Sequence, residues 1–251
     1  MNPTERFTTR VADYARSRPG YQPAVPEVLR RRVGLTPQWT IADIGSGTGI
    51  STEMFVQMGN EVFAVEPNDA MRAAAEARLG GMPGFRSVRG TAEATTLADR
   101  SIDLVVAAQA FHWFDPQAFR HECRRILKPG GWALLMWNDR DESSTPFLHA
   151  YEQLLREFGT DYLAVRHNRI DESTLRQFFG GEFQSEALGN VQTLDFDGLR
   201  GRLLSSSYVP GESDPRRQPM LDVLRRVFDA HQVQGQVQMQ YQTRLFFARA
   251  G

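Results

Sequence analysis

Apolar residues along this chain recur in two alternating modes. Compact, largely apolar runs at 39–44, 61–65, 102–107 and 132–137 have the length of buried strands, and 85–89 reads as a shorter one. Between them the period lengthens. Ile50, Met54, Phe55 and Met58 recur at helical spacing until Gly59, and 69–79 and 115–127 repeat the pattern. Asp69 is placed to cap the first of these helices, with Gly80-Gly81 closing it. Asp115-Pro116 is a cap followed by proline at the first helical position. Upstream, 27–33 reads as a helix closed near Gly34, 18–23 as a turn-rich break, and 11–16 as a short helix.

Beyond Asn138 the pattern changes. Helices are expected at 147–158, 173–179, 199–204 and 220–231, with a polar, irregular stretch at 159–170 and a loop at 210–219. A strand-like segment covers 183–196, and alternating residues from 236 to 248 suit an antiparallel edge strand. Strands alternating with helices across short loops predict right-handed crossovers, hence a mostly parallel sheet with helices on both faces. The expected layout is a single domain over 1–251. Residues 1–37 form an N-terminal lid segment, 38–137 a ligand-binding core, 138–235 an insertion of substrate-side helices and a strand, and 236–251 the C-terminal edge strand.

Composition narrows the class. Hydrophobic residues at 41% and charged residues at 24% are ordinary for a folded globular chain of 251 residues. A net charge of -1 supplies no global basic field for nucleic acid or anionic membrane. No stretch approaches transmembrane length and the N-terminus has no apolar signal core, so a cytoplasmic protein, monomer or homodimer, is the expectation. Cys123 is the single cysteine, which excludes an intrachain disulfide and a cysteine-built zinc site. It shares an apolar helix face with Phe119 and Ile126 and reads as core; no metal is expected. Lys128 is the only lysine among many arginines, which reads as coding bias.

The chemistry concentrates where the first core strand meets its helix, at Asp43-Ile44-Gly45-Ser46-Gly47-Thr48-Gly49. Glycines let the backbone approach a ligand closely, and amides at the start of the helix present the positive end of its dipole. A dinucleotide loop needs G-x-G-x-x-G, but position 50 is Ile. A phosphate loop ending in G-K fails as well, because no lysine follows.

The sequence D-x-G-x-G-x-G at 43–49 resembles the first motif of class I S-adenosylmethionine-dependent methyltransferases. Further matches follow in order: Glu66 at the end of the second strand, Gly90-Thr91-Ala92-Glu93 after the third, Ser101-Ile102-Asp103-Leu104-Val105 at the fourth, and Ile126-Leu127-Lys128-Pro129-Gly130-Gly131 before the fifth. The resemblance covers 38–137. It implies a Rossmann-like, doubly wound α/β fold with a mostly parallel seven-stranded sheet, an antiparallel C-terminal strand and a helical lid. It also implies S-adenosyl-L-methionine as cofactor, with S-adenosyl-L-homocysteine as product. Asp43 would orient the loop and the methionyl ammonium, and Gly45, Ser46, Gly47 and Gly49 would line the ligand. Glu66 and Pro67 would meet the ribose, Met71 the adenine face, and Thr91, Ala92, Glu93 and Gln109 would frame the rest.

Gln109 to Asp115, the opening 14–21 and Ser206 to Pro210 look like a small-molecule branch related to trans-aconitate methyltransferases. His112 follows the fourth strand and is the candidate base; a structural histidine in an aromatic loop is the alternative. Tyr14, Arg18, Tyr21, Phe111, Trp113, Trp137 and Tyr208 are candidate walls of the acceptor pocket. Arg18, Arg140, Arg166 and Arg169 could grip a carboxylate, although each taken singly reads as solvated surface. The expected activity is methyl transfer to a small molecule, on an oxygen of a carboxylate or hydroxyl. Carbon or nitrogen methylation of a quinone-like or secondary metabolite, a nicotinamide-dependent oxidoreductase and a non-catalytic cofactor-binding module stand as alternatives. Nucleic-acid and membrane partners are not expected.

Overall fold

The computed structural model describes residues 17–160, 162 and 171–249. The short helix expected at 11–16, Tyr14, Arg166 and Arg169 lie outside the described residues. The sheet is built from β1 (Thr40–Ile44), β2 (Glu61–Val65), β3 (Phe85–Val88), β4 (Ile102–Ala108), β5 (Leu127–Arg140), β6 (Gln184–Leu194) and β7 (Val237–Arg249). Their spatial order is β3-β2-β1-β4-β5-β7-β6, with the first five parallel and the last two antiparallel. This is the doubly wound sheet expected from alternating strands and helices.

Strand alternation divides the core into two layers. Ile41, Leu104, Val106, Leu134 and Met136 face helices α1 (Val25–Val33), α2 (Ile50–Gln57) and α3 (Asp69–Leu79), meeting Leu29, Phe55 and Leu79. Their neighbours Ala42, Ile44, Val105, Ala107 and Leu135 face the other way, onto α4 (Pro116–Ile126) and a helix of the insertion, α6 (Glu172–Phe179). Cys123 sits in this second layer, 3% exposed, and burial pushes its thiol well above the ordinary range, as befits core rather than a nucleophile. A third cluster joins α5 (Pro146–Phe158), α7 (Phe196–Leu204) and α8 (Arg217–His231) to Val237, Met239 and Tyr241 of β7. The insertion thus has a core of its own beside the sheet.

Four expectations need correcting. The C-terminal strand is not an edge: β7 lies between β5 and β6, and Leu245 to Ala248 are all buried. The edge is β6, whose residues alternate between exposed and half-buried and whose Val191 is 55% exposed. The helix at 69–79 is capped by Asn68, not Asp69: Asn68 Oδ1 accepts from the amides of Ala70 and Met71, both at 3.0 Å. Helix α1 buries Val25, Val28 and Leu29 in the sheet's helical layer, so of the expected lid only 17–24 among the described residues borders the crevice. The fifth strand does not stop at Trp137. Asn138 to Arg140 continue it because β7 pairs them with Thr243, Gln242 and Tyr241.

That extension fastens the N-terminal segment. Thr243 Oγ1 donates to Asn138 Oδ1 at 2.5 Å and accepts from the amide of Gln22 at 3.3 Å. Asn138 and Asn190 both donate to the Gly20 carbonyl, at 3.0 and 2.9 Å, and Gln192 donates to that of Ser17 at 3.0 Å. Side chains from three adjacent strands therefore hold 17–22 over the end of the sheet. Replacing the fully buried Thr243 by Val leaves Asn138 Oδ1 and the Gln22 amide short of partners. Equilibrium urea denaturation is expected to show a loss of about 1–3 kcal/mol for Thr243→Val.

Candidate active site

The strand order reverses between β1 and β4, and in open α/β sheets ligands bind in the crevice outside the carboxyl ends at such a point. Residues 45–49 leave β1 there. The amides of Gly45 and Ser46 both donate to the Val65 carbonyl, at 2.9 and 3.2 Å, which folds the loop against the end of β2. Gly45 has φ 68°, and a Cβ on it would lie 2.7 Å from Ala110 Cβ. Gly49 has φ 82°, and a Cβ there would lie 2.6 Å from Leu79 Cδ1. Both positions need glycine for conformation and for close approach. Gly49 therefore serves the packing of α2 on α3 and does not line the crevice, whereas Gly47 opens directly into it.

Two carboxylates hold this loop. Glu66 Oε2 accepts from the Gly47 amide at 2.9 Å and Oε1 from the Asn68 amide at 2.8 Å. Burial raises the Glu66 carboxyl, and the two amides only partly offset that rise. Asp43 lies deeper, fully buried, and does not line the crevice. Its Oδ2 accepts from the hydroxyls of Ser51 and Thr52 at 2.7 and 2.6 Å, tying the end of β1 to the first turn of α2. Burial raises its carboxyl to about 6 against those two hydrogen bonds.

The crevice continues into a cavity of about 560 Å³, within the range of small-molecule sites. Its walls include Gly45, Ser46, Gly47, Glu66, Pro67, Met71, Thr91, Ala92, Glu93 and Gln109. The segment 90–95 is pinned from below: Glu122 of α4 accepts from the amide and hydroxyl of Thr95, at 2.8 and 2.6 Å. Gln109 has φ 55°, an uncommon conformation for a residue with a Cβ, and its backbone N–H donates to the Met136 carbonyl at 2.8 Å. Its side chain donates to the Asn138 carbonyl at 3.2 Å.

Arg18, Tyr21, His112, Trp113 and Tyr208 line the same cavity. His112 and Trp113 lie in a single 3-10 turn, Phe111–Trp113, with ring centroids 4.7 Å apart. Phe111 and Trp137, expected as walls, are core instead. Phe111 is 2% exposed and packs on Phe178 at 4.9 Å, Phe119 at 6.1 Å and Trp137 at 6.4 Å. Successive side chains of a 3-10 turn point about 120° apart, so His112 borders the cavity while Phe111 packs into the core.

Several lining residues were not among the expected site residues. Thr48, Asn68, Phe114, Asn138, Tyr162, Arg202 and Tyr241 all border the cavity. Arg140, a candidate to grip a carboxylate or else solvated surface, is neither free nor solvated: its side chain is 9% exposed and pairs with the buried Glu152 at 2.6 Å. Among the described residues no group of three His, Cys, Asp or Glu side chains could hold a metal ion, and no helix is long and apolar enough to cross a membrane.

The raised Asp43 carboxyl has a measurable consequence. Its folded pKa of about 6 exceeds its ordinary 3.8, so between these values the folded chain holds a proton that the unfolded chain releases. Stability from this group therefore increases as pH falls through that window. Guanidinium denaturation at about pH 7.5 and about pH 5 is expected to show the wild type gaining on Asp43→Asn at the lower pH, since groups common to both proteins cancel.

Comparison with known proteins agrees with this geometry. Residues 42–135 match the family described as methyltransferase domain. An uncharacterized methyltransferase of Mycobacterium tuberculosis (strain H37Rv) is 39% identical over 141 residues, covering 54% of this chain and 53% of that protein, so the match spans about half the length of this curated relative. An uncharacterized methyltransferase-like protein of Schizosaccharomyces pombe is 28% identical over 244 residues, 96% of this chain and 93% of its own. The solved structure of a proposed type II methyltransferase from Anaeromyxobacter dehalogenans shares the fold, with a TM-score of 0.69 at 22% identity over 93% of this chain and 98% of that one. Residues 42–135 are therefore similar to the methyltransferase domain family, and the chain shares the fold of the Anaeromyxobacter dehalogenans structure.

Proposed function

We propose that this protein transfers a methyl group from S-adenosylmethionine to a small-molecule acceptor, on an oxygen of a carboxylate or hydroxyl. One observation carries the reading: a single cavity joins the glycine loop and Glu66 to a chamber walled by His112, Trp113, Tyr208 and arginines. The loop end fits the cofactor. Ser46 Oγ and Thr48 Oγ1 are buried there without a hydrogen-bond partner among the described residues, and Gly47 leaves open space. Each amide-bonded oxygen of Glu66 keeps acceptor capacity for ribose hydroxyls. Thr91, Ala92 and Met71 would border the adenine.

When bound, S-adenosylmethionine supplies an electrophilic methyl carbon on a sulfonium. The chain's task is then alignment and exclusion of water. The segment 17–24 and the insertion close the chamber around the acceptor. His112, on a short turn backed by the Phe111 core contacts, is held where it could take the proton of a hydroxyl acceptor. A carboxylate acceptor, already anionic, would need no such base. Asp43 acts on the loop through Ser51 and Thr52 rather than as a wall of the site.

Isothermal titration calorimetry is expected to show S-adenosylhomocysteine binding and no binding of a nicotinamide dinucleotide. Glu66→Gln puts an N–H donor against either the Gly47 or the Asn68 amide, so its affinity for S-adenosylhomocysteine is expected to fall by about 10- to 100-fold. Dinucleotide binding with no response to S-adenosylhomocysteine would overturn the reading. His112→Ala separates the acceptor types once an acceptor is in hand. A hydroxyl acceptor predicts a fall in kcat of about 10²–10⁴-fold, while a carboxylate acceptor predicts little change.

A further inference from the structure

Arg202 lines the cavity and forms no ion pair with a carboxylate among the described residues. It lies on α7, is 6% exposed, and borders the chamber between Ser207, Tyr208 and Tyr241. Its Nε donates to Tyr241 Oη at 3.2 Å and its Nη1 to Ser206 Oγ at 3.2 Å. Both partners are neutral hydroxyls, and Nη2 has no hydrogen-bond partner among the described residues. Arg140, in the same chamber, differs: Glu152 pairs with it at 2.6 Å. That carboxylate is fully committed, since it also accepts from Tyr162 Oη at 2.6 Å and Arg156 Nε at 2.9 Å.

The remaining acidic side chains on the cavity wall are engaged elsewhere. Asp139 pairs with Arg244 at 3.3 Å, Glu142 lies 4.0 Å from Arg156, Glu93 accepts from the Asp115 amide, and Glu66 is on the loop. A guanidinium withdrawn from water without a counter-ion is costly, and proteins retain one where a ligand supplies the charge. The chamber's potential shows in Tyr208. Burial alone would push its phenol up, yet the fields of Arg202, Arg18 and Arg140 bring it below its ordinary value.

We propose that Arg202, steadied by Tyr241 and Ser206, is the recognition site for a carboxylate of the methyl acceptor, and that the protein selects acidic small molecules through it. The planar fork suits bidentate pairing with a carboxylate. The side chain is pre-positioned: Tyr241 belongs to β7 and lies within 3.3 Å of Gln192 Oε1 of β6, while α7 is capped by Asp195. The inference depends on the methyl-transfer reading only for identifying the bound acid as the acceptor.

The test uses the full chain, with and without saturating S-adenosylhomocysteine. The probes are benzoate, succinate and citrate, the neutral amides benzamide and succinamide, and inorganic phosphate, all at matched ionic strength. Thermal unfolding and calorimetry are expected to show at least one carboxylate stabilising the wild type while its amide does not. Arg202→Met and Arg202→Gln should weaken that carboxylate by about 10- to 100-fold and leave the affinity for S-adenosylhomocysteine unchanged. Ligand-free Arg202→Met should melt at or above the wild-type temperature, because a buried unmatched charge has been removed.

A purely structural arginine gives the opposite result, a lower melting temperature for Arg202→Met, and that overturns the proposal. So does equal binding of acid and amide, retention of carboxylate binding in both variants, absence of any carboxylate response, or a response to phosphate alone. Failure of S-adenosylhomocysteine to bind the wild type would instead count against the cofactor reading, since carboxylate discrimination is read without it as well.

Discussion

The site depends on how one loop is held between two strands and a helix. Residues 45–49 must leave β1 and enter α2 while Ser46, Gly47 and Thr48 face the crevice, so the loop cannot bury itself in the core. Restraint comes from the sides. The Val65 carbonyl takes two loop amides, Glu66 takes a third, and Asp43 anchors the start of α2 through two hydroxyls. Burying both carboxylates raises their pKa values, a cost accepted for a loop fixed in a left-handed, close-packed conformation.

The two sides of the proposed site are built differently. The side read as the cofactor's comes from segments at the carboxyl ends of four strands: 45–48 after β1, 66–68 after β2, 91–93 beyond β3 and 108–110 at the end of β4. The side read as the acceptor's is assembled from distant pieces. Residues 18–21 lie over strands β5 to β7, Arg140 and Tyr241 are paired across β5 and β7, and Arg202 and Tyr208 come from the insertion. The polar ties among Asn138, Asn190, Thr243 and Gly20 join these pieces.

This division explains what the sequence made legible. Strands at 40–44, 61–65 and 102–108 are apolar runs buried on both faces, and such runs read clearly between glycine and proline turns. Cofactor-end residues sit at fixed offsets from those strands, so the motif pattern found Gly47, Glu66 and Thr91 together. Gly49 and Asp43, from the same motif, do not line the cavity and serve packing and loop anchoring one layer below it. The acceptor end resisted for a physical reason. Arg202 and Tyr241 are separated along the chain and meet only through tertiary packing, while Asn138 to Arg140 look like a polar loop until β7 pairs with them. The alternation in β7 correctly marked a strand, but whether a strand is central or at the edge depends on what else pairs with it, and β6 supplied that neighbour.

A crystal structure of the full chain with S-adenosylhomocysteine bound tests the central claim most directly. The expected result places the ribose hydroxyls within hydrogen-bonding distance of the Glu66 carboxylate and the amino-acid portion against Ser46 to Thr48, with the sulfur facing the chamber of His112 and Arg202. A ligand lying outside the loop, with neither Glu66 nor residues 46–48 in contact, would contradict it.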